Sequence, residues 1–115
     1  MLPQGMELEQ DGTAITCTVN HRDVGHLELQ EMLDECMQRM RHDNARQVIF
    51  DLGAVEFLAS ACIGCLVEFL QDVEHMRGQI ALANCRENVK FLFKVTRLDA
   101  VFPMFDDVEQ ALESM

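Results

Sequence analysis

Five cysteines stand at positions 17, 36, 62, 65 and 85, and one pair, Cys62-Ile63-Gly64-Cys65, has a spacing that chemistry reuses. A C-x-x-C at the start of a helix can carry a depressed thiol pKa, because the helix N-terminus favours the thiolate. A thiol oxidoreductase using Cys62 and Cys65 is therefore the enzymatic reading of the sequence. Two features oppose it. Cys65 falls one position from the apolar stripe of the helix that follows, so both thiols are expected in the core. The thioredoxin pattern also needs a later proline beside the motif, and Pro103 is poorly placed for that. Cys17, Cys36 and Cys85 read as small buried hydrophobes. A zinc site needs about four ligands, mostly cysteine or histidine. The C-x-x-C has no second pair, and His21 and His26, at a loose His-x4-His spacing, flank a loop far from it in sequence. No metal and no cofactor is expected. The sequence has no glycine-rich phosphate loop, no Gly-x-Ser-x-Gly elbow and no His-Glu-x-x-His. The expected class is a binding module rather than an enzyme.

The charge narrows the partner. The 115 residues carry a net charge of -11, with a pI near 4.5. Such a surface repels phosphate backbones and anionic membranes, so nucleic acid is not expected as a partner. A basic patch on a protein partner is attracted instead, and steering speeds the encounter. Tryptophan and tyrosine are both missing, which leaves few stacking platforms for single-stranded nucleic acid. Apolar residues make up 49%, enough for a core. Met1 to Gln10 carries two glutamates and no long apolar run, and no stretch approaches the ~20 apolar residues of a membrane span. The expectation is a cytoplasmic chain with reduced thiols, folded as one domain over 1–115.

The elements that must position any site can be read from periodicity. Met6 to Gln10 alternates, Asp11-Gly12 suits a tight turn, and Ile15, Cys17 and Val19 share one side of a second strand, predicting a β-hairpin. From His26 the period changes. Leu29, Met32, Leu33, Cys36, Met37 and Met40 recur at i, i+3, i+4, i+7, i+8 and i+11, the stripe of an amphipathic helix. Val48-Ile49-Phe50 and Ile80 to Ala83 read as strands buried on both faces. Ile63, Leu66, Val67 and Leu70 mark a helix between them. Asn84 with Glu87, and Asp106 with Glu109, stand at capping-box spacing before two further helices. Val101 to Phe102 is a candidate short strand. Strand–helix–strand units favour parallel pairing and the hairpin adds an antiparallel pair. The expected fold is α/β, with a mixed sheet of four to five strands and about four helices.

In that order of elements the sequence resembles STAS domains of the anti-sigma factor antagonist kind. The resemblance rests on Val48-Ile49-Phe50-Asp51-Leu52-Gly53-Ala54-Val55-Glu56-Phe57-Leu58-Ala59-Ser60-Ala61-Cys62-Ile63-Gly64. These residues are similar to the family's strand ending in Asp-Leu, its turn, and the serine-bearing loop that opens a helix. Gly78-Gln79-Ile80-Ala81-Leu82-Ala83-Asn84 resembles its glycine-led strand, and Arg97 to Asp106 its C-terminal ending. Asp23 corresponds to an aspartate that often follows the second strand. The resemblance implies a module that binds an anti-sigma factor, itself a serine kinase, until phosphorylation of the loop ends the binding.

The family motif is Asp-Ser-Ser/Thr-Gly, and here it is degenerate. Ungapped, Ala59 takes the place of the aspartate, Ser60 the first serine, Ala61 the phospho-acceptor and Cys62 the glycine. Alanine has no hydroxyl to phosphorylate. Ser60 is either a displaced phospho-acceptor or the N-cap of the second helix. The resemblance thus implies a partner surface of Asp23, Ala59, Ser60, Ala61, Cys62 and Asn84. An accessory role beside a lipid-transport ATPase, or within a sensor assembly, is the alternative that requires no phospho-motif.

Overall fold

The computed structural model describes residues 2–115. Strands β1 (Met6–Asp11) and β2 (Ala14–Val19) form the hairpin. Asp11 still pairs with Ala14, so the turn is Gly12-Thr13, one residue later than expected, with Gly12 at a φ of 63°. Helix α1 (His26–His42) crosses to β4 (Gln47–Asp51), α2 (Cys62–His75) to β6 (Gln79–Ala83), and α3 (Glu87–Val95) to β7 (Met104–Phe105). The sheet runs β1-β2-β4-β6-β7, antiparallel at the hairpin and parallel elsewhere. This is the mixed α/β sheet expected, with five strands and α4 (Val108–Ser114) as the fourth helix.

One face of the sheet holds the main core. All six residues of the α1 stripe are buried there. On α2 the buried residues are Cys62, Leu66, Phe69 and Val73, so the helix is turned from the expected stripe and Ile63, Val67 and Leu70 are only half-buried. The aromatic ring decides this rotation. Phe69 meets Phe50 edge to face, with centroids 5.5 Å apart, and burying a phenyl group outweighs the smaller residues on either side. Gly78 lets β6 start close to its neighbour, since a Cβ there would lie 2.6 Å from the Arg46 carbonyl oxygen. The other face is thin. Ile49, Ala81 and Ala83 pack against Ala111 of α4, and the three alanines let the helix lie close.

Three local expectations are corrected. Asn84 is not a cap: its φ of 59° ends β6, and Arg86 is the N-cap of α3. The cap of α4 is Asp107, one residue past Asp106, accepting from the Gln110 N–H at 2.8 Å. Val101 and Phe102 are not a strand. They follow a short 3-10 turn (Leu98–Ala100), and Phe102 is buried against Phe93 with centroids 5.5 Å apart. Pairing with β6 begins only where the Pro103 carbonyl accepts from the Leu82 N–H.

Candidate partner-binding site

A second, two-stranded sheet positions the loop before α2. Strand β3 (Asp23–Val24) pairs in parallel with β5 (Phe57–Leu58). Sequence reasoning missed both, because two residues cannot carry a period. The N–H groups of Glu56 and Phe57 donate to the Arg22 carbonyl, and the Ala59 N–H to the Val24 carbonyl at 3.0 Å. Arg22 pairs with Glu56, and its guanidinium lies 5.8 Å from the centre of the Phe57 ring. The Cys62 Sγ lies 3.5 Å from the Val24 carbonyl, tying the first turn of α2 to the same strand.

The result is an exposed ledge. Ala59, Ser60 and Ala61 are all exposed, and Phe57 remains 50% exposed. Asp23, Val24, Gly25, Glu28, Phe57, Leu58 and Ala59 line a shallow hollow of about 310 Å³. The expected residues Asp23 and Ala59 are therefore brought together from either side of α1. Phe57 is the residue the sequence reading overlooked; its signal was an aromatic just before the loop.

Ser60 is not an N-cap. Ala61 holds that position in helical geometry (φ -63°, ψ -19°), with no side-chain capping bond. The Ser60 carbonyl accepts from the Ile63 N–H, and the Ala59 carbonyl from the Cys62 N–H. Backbone turns thus satisfy the donors a serine cap would have served. Asn84 has a structural engagement. Its Nδ2 donates to Asp51 Oδ1 at 3.1 Å, the Gly53 N–H donates to the same oxygen, and Arg86 Nε donates to the Gly53 carbonyl at 2.8 Å. This network fixes the turn after β4 and does not line the hollow beside Asp23.

The model of the STAS domain matches residues 22–111. The chain belongs to the STAS domain family. A protein of Thermotoga neapolitana named as an anti-sigma factor antagonist is 27% identical over 90 residues, covering 78% of this chain and 76% of its own. Among solved structures, a STAS domain protein of Planctomyces limnophilus superposes with a TM-score of 0.81 at 20% identity, covering 95% of each chain. The Bacillus anti-sigma factor antagonist SpoIIAA, in its unphosphorylated form, gives 0.81 at 14% identity, over 95% of this chain and 94% of that one. No helix among the described residues is long and apolar enough to cross a membrane.

The thiol reading is corrected by burial. Cys62 is fully buried, and desolvation, with the Cys65 thiol beside it, pushes its pKa up from 9.0 to about 11. A redox motif needs the opposite shift. Burial raises Cys85 to about 11 as well. Cys36 is raised well above the usual thiol value by its hydrogen bond with Cys17 and by burial. These shifts give a pH prediction with a definite sign. The folded state favours the neutral thiol, so that contribution is intact below pH 9 and is lost as pH rises through about 11. Urea unfolding is expected to show a steady midpoint from about pH 7 to about pH 8.5, then a fall towards about pH 11. A flat midpoint across that alkaline window would contradict the burial of these thiols.

Proposed function

We propose that this STAS domain is a cytoplasmic protein-binding regulator of the anti-sigma factor antagonist kind, which binds an anti-sigma factor or related serine kinase and lacks the usual release switch. One observation supports the reading: residues 59–61 form an exposed ledge at the start of α2, with alanine at the position that the resemblance gives to the phospho-acceptor. The half-exposed Phe57 supplies an aromatic anchor of the sort that dominates protein interfaces. Asp23 and Glu28 give the adjoining hollow an acidic rim that suits a basic patch on the partner. Cys62 is buried and contributes by holding the ledge rather than by touching the partner.

The test is affinity capture from the native organism, using the full chain as bait and a Phe57→Ala, Asp23→Lys variant as control. Wild type is expected to retain a serine-kinase anti-sigma factor that the variant loses. With that kinase and ATP, wild type is expected to stay bound and unmodified. Phosphate on Ser60 would overturn the unswitched reading. The missing acceptor equally suits an accessory subunit of a lipid-transport ATPase or a sensor assembly, and capture of such subunits in place of a kinase would select that role.

A further inference from the structure

We propose that copies of this chain associate head to tail, the outer face of α3 on one copy seating in the cleft between α1 and α2 of the next. Both halves of that contact lie on elements other than the 59–61 ledge.

The donor half is a cationic ridge on an acidic protein. Segment 86–97 holds Arg86, Lys90, Lys94 and Arg97, four of the nine Lys and Arg residues in a chain of net charge -11, against the single carboxylate Glu87. Lys90 and Lys94, at i and i+4, share one side of α3, with Arg86 at its N-cap and Arg97 just past its C-cap Thr96. Arg86 is held by the Gly53 carbonyl, and Lys90 lies 3.8 Å from Glu87. Lys94 and Arg97 have no ion partner among the described residues. Beside these cations Phe91 is 66% exposed and Val95 57% exposed, an i, i+4 apolar pair uncovered within the molecule.

The acceptor half has the opposite sign. Between α1 and α2 lies a hollow of about 300 Å³, room for one aromatic side chain. Asp34, Glu68 and Asp72 stand around it, with Arg41 the one cation, and Met37 and Phe69 contribute to its apolar lining. Ridge and hollow are fixed on one rigid fold and cannot meet within a molecule. They are different surfaces, so the contact is heterologous and continues from copy to copy.

Charge range favours a second copy over a polyanion. The body measures 32 × 30 × 23 Å. A membrane or a nucleic-acid duplex extends past the ridge and meets the remaining acidic surface. A second copy offers carboxylates matched to the ridge alone. Two bodies of the same sign still repel at long range. At ~0.01 M salt the Debye length is ~30 Å and spans the whole molecule; at ~0.15 M it is ~8 Å and only facing patches are felt; at ~1 M the patches too are screened. Self-association is therefore strongest near ~0.15 M and weaker at both extremes.

Sedimentation velocity of the full chain across a concentration series tests this. The sedimentation coefficient is expected to rise with concentration most steeply at the intermediate salt. Lys90→Glu with Lys94→Glu removes the ridge, and Asp34→Lys with Asp72→Lys removes the cleft. Each double variant alone is expected to weaken self-association at least roughly tenfold. Mixed, they form a one-to-one complex that grows no further, because each retains the half the other lacks. Thermal unfolding checks that the variants fold; if either does not, Lys94→Gln and Asp72→Asn replace them. The proposal is overturned by a wild type that stays monomeric at every concentration. It is equally overturned by association that only strengthens with salt, or by variants that fail to complement. Binding of Lys94-dependent kind to vesicles of phosphatidylglycerol or to duplex DNA, without self-association, would replace it.

Discussion

Phe50→Ala is expected to cost about 3–5 kcal/mol of folding stability, the range for emptying a buried phenylalanine site. Phe50 is 2% exposed on β4, the middle strand of the sheet, and its ring meets Phe69 of α2 edge to face. Removing it leaves a hole between sheet and helix that the β-strand backbone cannot collapse to fill. A domain of this size has roughly 5–15 kcal/mol in total, so the loss is a large share. Thermal unfolding is expected to drop by at least roughly 10 °C. The control is Phe91→Ala: at 66% exposed it is expected to move stability by no more than about 0.5 kcal/mol. Equal effects at the two positions would mean that β4 and α2 do not pack as described. The same ring also sets the face that α2 presents, so partner binding through the ledge should weaken with Phe50→Ala even where the variant remains folded.

The legibility of the fold in the sequence follows from how far each signal reaches. The α1 stripe spans about three turns, and every residue it named is buried. The strands Gln47–Asp51 and Gln79–Ala83 are built on the continuous apolar runs Val48-Ile49-Phe50 and Ile80 to Ala83, and both lie inside the sheet. Errors came where a single residue decides. Asp107 rather than Asp106 caps α4, and Asn84 takes a left-handed turn because its amide is drawn to Asp51 across the strand ends. On α2 the periodic residues were right in kind but turned in register, because periodicity weighs all apolar residues alike while packing weights the largest. Capping and ring contacts depend on residues distant in the chain, and a local reading holds no information about them.

The position of the candidate loop was legible for a different reason. Ser60 and its neighbours were placed by resemblance, and the exposed loop at the start of α2 is where the structure has them. What makes that loop a rigid ledge was not readable. Val24 and Ala59 are far apart in sequence, and only the folded backbone reveals that β3 and β5 pair and hold it. The pairing also changes the meaning of two candidates. Asp23 joins the ledge through it, whereas Asn84, equally plausible on sequence, is engaged with Asp51 at the ends of the neighbouring strands.

Restoring the missing hydroxyl is expected to restore a switch. Ala61 is exposed and already helical, so Ala61→Ser should alter stability by less than about 0.5 kcal/mol. Unmodified, the variant is expected to bind the captured partner within about threefold of wild type, a difference of less than 1 kcal/mol. With the partner kinase and ATP it should take up one phosphate, which brings roughly -1.5 to -2 charges. Those charges would arrive near the carboxylates of Asp23 and Glu28, on a chain of net charge -11, at a surface the partner must desolvate. An uncompensated charge in an interface is strongly unfavourable, so affinity is expected to fall at least about a hundredfold, or roughly 2.7 kcal/mol. Wild type, treated alike, keeps its partner. The acceptor is fixed by the double variant Ser60→Ala, Ala61→Ser, which should be modified and released as the single variant is. Release of wild type under the same treatment would place the switch at Ser60. Retention of the phosphorylated Ala61→Ser chain would mean that the partner does not cover this ledge, and the binding surface would have to be sought elsewhere on the domain.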